Sequence, residues 1–287
     1  MTLPPGFTVG HWTDPVGMTG CTVILCETGA TAGVDVRGGA VATIQTDIIG
    51  PASATAILHA VLLTGGSAFG LAAYAGVMRY LEERGVGVAV RDWRVPHVAG
   101  AVIFDLAVGD AKARPNADSG YAAARMAAAD PAEGLVGAGT GATVAKLATG
   151  RLAGGLGIAS APAGDSTVTA VMVVNALGDV WDGERNEWAA RSDPRAVTPT
   201  GGNTTIGCIV TDAKLQRDAV RRVAMVGHDG LARAIRPAHT DRDGDTLFCM
   251  AAGTAAADPL DVQRVAADAV ERAIVRAIRA SSGTMNA

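Results

Sequence analysis

No stretch of this sequence approaches the roughly 20 consecutive apolar residues that span a bilayer, and Met1 to Gly10 has neither a basic start nor a continuous apolar core. A cytoplasmic chain without a membrane partner is the expectation. Positive charge is not in excess either: 24 lysines and arginines stand against 28 aspartates and glutamates, for a formal charge of -4. That balance offers no electrostatic footprint for a phosphate backbone, so nucleic acid is set aside as a partner. Cysteines are few, and Cys21, Cys26, Cys208 and Cys249 lack the close paired spacing of a zinc site. In their apolar surroundings they read as buried free thiols. The histidines (His11, His59, His97, His228, His239) form no H-x-x-x-H pair. The glycine run Gly137 to Gly141 lacks both G-x-G-x-x-G spacing and the lysine position of a phosphate loop. No metal and no cofactor is expected.

What the sequence does have is apolar residues, 49% of the chain with only 18% charged, enough for a sizeable core. Thr22 to Glu27 and Gly33 to Arg37 read as opening strands. Ala56 to Glu83 carries apolar residues at helical spacing, broken at Thr64-Gly65-Gly66-Ser67, and reads as two helices or one broken helix. Gly85 to Val90, His97 to Leu106, Gly154 to Ser160, Thr167 to Asn175 and Thr246 to Ala252 read as strands. Ser119 to Ala129, Ala213 to Ile235 and Leu260 to Ala280 read as helices, the last with Val262, Val265, Ala269, Ile274 and Ile278 on its apolar face. Helices beside apolar strands imply one layered α/β or α+β domain over residues 1–287. Asn186 to Gly202 is polar and proline-containing, an exposed loop feeding the apolar run Ile206 to Val210.

At that boundary, Gly201-Gly202-Asn203-Thr204-Thr205-Ile206 delivers a hydroxyl to the start of a buried strand. If the Thr204 hydroxyl attacks the Asn203 carbonyl, an N-to-O acyl shift and hydrolysis free a threonine whose own α-amine can act as its base. An α-amine has a pKa of about 7.7 to 8.0, so it is partly neutral near pH 7. On these residues alone, a Gly-Asn turn before an ordinary strand is the commoner use.

The surrounding segments change that balance. His11-Trp12-Thr13-Asp14, Thr19-Gly20-Cys21-Thr22-Val23, Leu63-Thr64-Gly65-Gly66-Ser67-Ala68-Phe69-Gly70-Leu71, Val136 to Lys146, Asn203-Thr204-Thr205-Ile206, Thr211-Asp212-Ala213 and Asp243-Gly244-Asp245-Thr246 together resemble the P1-type peptidases. That family holds D-aminopeptidase/esterases, β-peptidyl aminopeptidases and nylon-oligomer (6-aminohexanoate-oligomer) hydrolases, and the Asn-Thr junction is most similar to the last branch. The resemblance implies a four-layer αββα sandwich of N-terminal-nucleophile-hydrolase type, cut into fragments 1–203 and 204–287. It also implies a homo-oligomer, a tetramer, acting on small amides of ω-amino acids, nylon-type oligomers included.

The resemblance further implies site residues: Thr204 as nucleophile, Lys146 against it, Asn175 helping to bind the oxyanion, and Asp243 with Asp245 as a carboxylate pair. Read without it, Lys146 is a solvated helix-end lysine, Asn175 a strand-terminating residue and Asp243-Gly244-Asp245 a turn. Two aspartates two apart face the same way in an extended segment, where they can orient the threonine amine and balance Lys146. The aminopeptidase branch carries an oxyanion-binding tyrosine where this chain has only apolar residues around Val102 to Phe104. Ser67 lies outside any G-x-S-x-G elbow and reads as structural or pocket-lining. Two other functions remain open at this point: an acyltransferase of the ornithine-acetyltransferase type, and an unprocessed small-molecule-binding homologue.

Overall fold

Successive residues of a strand point to opposite faces, and here both faces are buried. In Ser166–Asn175, Ala170, Met172 and Val174 join one apolar cluster while Val171 and Val173 join another. In Thr19–Val36, Ile24 and Cys26 share that second cluster, whereas Cys21, Val23 and Leu25 belong to a third. The second cluster is therefore the filling between two sheet layers, and the other two are the packing of helices on the outer faces. The computed structural model describes residues 3–148, 151–193 and 202–282.

The strands of the main sheet are β1 (Thr8–Asp14), β2 (Thr19–Val36), β3 (Thr43–Ile44), β4 (Ile57–Thr64), β5 (Val98–Val102), β6 (Gly155–Ala163), β7 (Ser166–Asn175), β8 (Thr204–Ala213) and β9 (Thr246–Ala255). Their order is β6-β7-β8-β9-β2-β4-β5-β3, with β1 paired to β2. The β8–β9 and β4–β5 pairs are parallel. The two layers are halves of this one sheet, joined by the 18-residue β2. Thr31 to Val36 of β2 pair with β9, Cys21 to Leu25 pair with β4, and the register shifts between Leu25 and Ala30. Such an irregularity bends a strand, which lets β2 pass from one layer to the other.

Helices α1 (Tyr74–Glu83) and α2 (Ala117–Arg125) cover the β2–β4–β5 half, through Val77, Leu81, Ala123 and Ala124. Helices α3 (Arg217–Ala234) and α4 (Pro259–Ser282) cover the other half. The apolar face expected for α4, Val262 to Ile278, is buried against β6, β7 and α3. The result is the αββα sandwich.

Three expectations fail. Ile57 to Thr64 is a strand, and α-helix begins only at Tyr74 after a 3₁₀ turn at Ser67–Ala73. Leu58, Val61 and Leu63 pack inside the sandwich while Ala60 and Leu62 pack under α1 and α2, so apolar residues fall on both faces, His59 and Thr64 are the polar exceptions, and the run carries no strand alternation to read. The two opening strands are parts of the single β2, and β1 was not expected at all. The four cysteines are buried and free. Asn186 to Gly202 is not exposed loop throughout: Glu187–Ala190 is a strand paired with Asp179–Asp182, with Ala190 buried, and residues 194–201 lie outside the described residues.

Candidate active site at the Asn203–Thr204 junction

Thr204 opens β8 and stands directly opposite Asn175, the last residue of β7. Directly opposed residues present their side chains on one face with Cβ atoms about 5 Å apart. Lys146 reaches the same spot from an irregular segment: its Nζ donates to the Asn175 backbone oxygen at 3.2 Å and to Asn175 Oδ1 at 3.1 Å. Its own backbone N–H is tied to Leu177 O at 2.9 Å. From the third side, Asp243 forms a parallel bridge with Asn203. All six residues proposed from the sequence thus meet at one end of β7, β8 and β9, and all are buried: Asn203 and Asn175 0% exposed, Asp243 and Asp245 2%, Lys146 3%, Thr204 4%.

The Thr204 hydroxyl donates to the carbonyl oxygen of Asn203, so it lies against the carbonyl it would attack. That same oxygen accepts the Gly244 backbone N–H at 3.1 Å. A Cβ at position 244 would stand 2.4 Å from Ala40 O and 3.0 Å from Thr204 Oγ1. Only glycine lets the backbone approach this closely. Gly202, on the other side of the junction, has φ +85° and is pressed on Phe104, whose Cγ a Cβ would meet at 2.3 Å. The glycines flanking the junction therefore serve close contact.

Asn175 is fully engaged. Its Oδ1 accepts from Thr143 N–H (3.0 Å) and Lys146, and its Nδ2 donates to Phe104 O (3.2 Å) and Gly202 O (3.4 Å). Phe104 thus stands at the site in the region where the aminopeptidase branch has its tyrosine, and supplies a backbone oxygen and a ring.

The two aspartates do different work. Asp245 accepts the Thr205 N–H on Oδ1 (2.8 Å) and both His239 N–H (3.0 Å) and His239 Nδ1 (2.7 Å) on Oδ2. Asp243 Oδ2 accepts from the Thr240 N–H (3.1 Å) and hydroxyl, while Oδ1 has only a long bond from Leu177 N–H at 3.4 Å. Spare acceptor capacity therefore lies on Asp243 Oδ1. Burial pushes the Asp243 carboxyl above the ordinary range, the Thr240 hydroxyl opposes this, and the Asp245 charge adds to it. Burial also lowers the Lys146 ammonium from 10.5 to about 7, with Asp243 pulling it partly back and Arg151 lowering it further. A lysine so poised exchanges protons near neutrality.

Sequence reasoning missed the Gly244 N–H, the Thr143 N–H and His239. The first two are backbone donors, which no side-chain pattern reveals. His239 sits six residues before Asp245 and could have been paired with it. Among the described residues no group of three or more His, Cys, Asp and Glu could hold a metal ion, and no helix is long and apolar enough to cross a membrane. A surface depression lined by Glu133, Asp182, Arg276 and Arg279 includes none of the junction residues and is laced by ion pairs.

The profile of Peptidase family S58 matches residues 4–287. An uncharacterized aminopeptidase of Mycobacterium tuberculosis is 45% identical over 285 residues, 88% of this chain and 81% of that one. The 6-aminohexanoate-oligomer endohydrolase of Paenarthrobacter ureafaciens is 33% identical over 270 residues, 86% of this chain and 73% of that one. Among solved structures, the L-aminopeptidase D-Ala-esterase/amidase of Ochrobactrum anthropi, described as a variant of the Ntn-hydrolase fold, superposes with a TM-score of 0.76. It does so at 21% identity, over 98% of this chain and 88% of that one. The last likeness bears on the fold, and it agrees with the layered architecture.

Proposed function

This chain belongs to peptidase family S58, and from that premise we propose that it cuts its own Asn203–Thr204 bond and then hydrolyses small amides with the freed threonine. An enzyme of this family acts on amide bonds. The observation that carries the finer reading is the Thr204 hydroxyl lying on the Asn203 carbonyl while Gly244 N–H holds that carbonyl's oxygen at 3.1 Å.

Before cleavage Thr204 has no free amine, so another group must take the hydroxyl proton. Lys146, lowered to about 7, is neutral in part of the population near pH 7 and is bonded to Asn175, which stands opposite the nucleophile. Thr204 Oγ bonds to the Asn203 carbonyl carbon, its proton passes to Lys146, and the oxyanion gains from Gly244 N–H, an electrostatic contribution often about 3 kcal/mol. The C–N bond then breaks, Thr204 N takes the proton from Lys146, and Asn203 is left as an ester on the threonine oxygen. Water hydrolyses the ester to an Asn203 carboxylate and restores the hydroxyl, now on a residue with a free α-amine.

In turnover that amine serves as base. Asp243, with an underused oxygen, orients it, while Asp245 holds the adjoining Thr205 N–H. Withdrawal of Gly202 and Asn203 frees Asn175 Nδ2 from one partner and exposes Gly244 N–H, giving two donors for a substrate oxyanion. The substrates we propose are small amides of ω-amino acids, 6-aminohexanoate oligomers among them, on the likeness to the oligomer endohydrolase. Incubation with linear 6-aminohexanoate oligomers and with short β-aminoacyl amides tests this. Release of amine by the native chain and none by Thr204→Ala is expected; equal release by both contradicts it.

A further inference from the structure

His239 has no part in the chemistry so far, yet its backbone N–H and its ring Nδ1 are both tied to the site, while the buried Nε2 has no hydrogen-bond partner. Its φ is +57°, a left-handed conformation unusual for a residue with a side chain. That turn brings the backbone N–H and the ring Nδ1 to one oxygen, Asp245 Oδ2, at 3.0 and 2.7 Å. The other oxygen of Asp245 takes the N–H of Thr205, the residue that follows the nucleophile. Asp245 is 2% exposed, so the orientation of this buried carboxylate rests on those three donors.

The histidine is itself held from behind. Its ring stands edge-on to His228 of α3, centroids 4.8 Å apart and 69° between planes. His228 is fully buried, and its Nε2 bonds Asp35 O of β2 at 3.1 Å. Burial lowers His228 to about 4, so it is neutral at physiological pH. Beyond it Asp35 pairs with Arg37 at 2.7 Å. The charged and titratable groups around His239 are thus Asp245 and Asp243 from its own loop, His228 from α3, and Asp35 with Arg37 from β2. Behind the network lies the packing of α3 on β2; the side facing the junction is Asp245.

We infer that His239 is a positioning residue: by clamping Asp245 it fixes the Thr205 N–H, and hence the backbone that aims the Thr204 hydroxyl and amine. This rests on the reading of Thr204 as nucleophile. Near-attack geometry is steep in distance, a displacement of about 1 Å costing about 100-fold in rate. His239 touches neither the scissile carbonyl nor a substrate, so its loss should appear in rate and not in substrate affinity.

Two full-length variants separate the ring from the backbone. His239→Gly keeps the left-handed conformation and deletes the donor. His239→Asn tolerates the same conformation and places an amide N–H where Nδ1–H stands. Self-cleavage rate and kcat are expected to fall about 10- to 100-fold in His239→Gly, with KM little changed, and to recover largely in His239→Asn. In an Asp245→Asn background the glycine substitution should cost nothing further, because both act through one contact. Wild-type rates in His239→Gly, no recovery in His239→Asn, or additive losses in the double variant would overturn the inference. A readout that needs no activity is hydrogen exchange at the Thr205 amide in the uncut Thr204→Ala chain. It should accelerate in His239→Gly and return in His239→Asn; unchanged exchange counts against the clamp. That measurement stands even if the native chain proves inactive on amides, an outcome that would sink the proposed function alone.

Discussion

Replacing Lys146 by methionine in the uncut Thr204→Ala chain should abolish a stability gain that the lysine confers as pH rises. Burial lowers the ammonium from 10.5 to about 7, Asp243 offsetting part of the effect. At about 1.4 kcal/mol per pH unit, the whole gap is worth about 5 kcal/mol. Below about pH 7 both folded and unfolded chains hold the proton, and the folded state bears the cost of a buried charge. Between about 7 and 10.5 the folded chain has released the proton and the unfolded chain has not, so stability rises with pH; above 10.5 the gain is complete. Urea unfolding at pH 7, 8 and 9 reads this directly, with the methionine chain subtracting every other titrating group. Half of the folded population is already neutral at pH 7, so the lysine chain should gain about 2 kcal/mol relative to the methionine chain by pH 9. A difference that stays flat over that interval would mean that Lys146 remains charged and solvated, and would remove it as the proton carrier in self-cleavage.

Self-cleavage itself should quicken as pH rises through about 7, since the neutral lysine is the active form; fragment formation followed from pH 5.5 to 8.5 checks this, and a level profile contradicts it. Gly244→Ala puts a methyl group 2.4 Å from Ala40 O and 3.0 Å from Thr204 Oγ1, so the N–H must leave the Asn203 carbonyl. Cleavage slower by about 100-fold or more is expected, read by gel densitometry, and a normal rate would exclude that donor. Asn175→Ala removes an acceptor of Lys146 and a donor near the junction; kcat of the processed enzyme should drop about 100- to 1,000-fold, whereas a change confined to KM would assign Asn175 to substrate binding.

Those outcomes also bear on what a sequence can show. The α4 face was legible because Val262, Val265, Ala269, Ile274 and Ile278 repeat at helical spacing on an otherwise charged helix. The β6–β7 pair was legible from two short apolar runs separated by a glycine turn. Ile57 to Thr64 was not, because a strand buried on both faces has no polar alternation to set against helical spacing. Nor was the continuity of β2, whose irregular stretch from Leu25 to Ala30 looks like a break when only local residues are read. At the site, Lys146, Asn175 and Asp243 are far apart in the chain and were placed by resemblance; the β7–β8 register and the 202–204 contacts supply the physical reason that they meet. The shared role expected for Asp243 and Asp245 came from the resemblance, with their spacing placing both on one face. Hydrogen bonding separates them, and only coordinates show that His239 and Thr205 already occupy Asp245.

The central claim is that Thr204 becomes the first residue of a new chain. Intact mass under denaturing conditions, followed over a long incubation of the purified native chain, tests it most directly. The 28.8 kDa species should give way to fragments 1–203 and 204–287, whose masses together exceed it by one water, with threonine at the new N-terminus. Thr204→Ala should stay whole. A native chain that also stays at 28.8 kDa, or that splits at any other bond, contradicts the account.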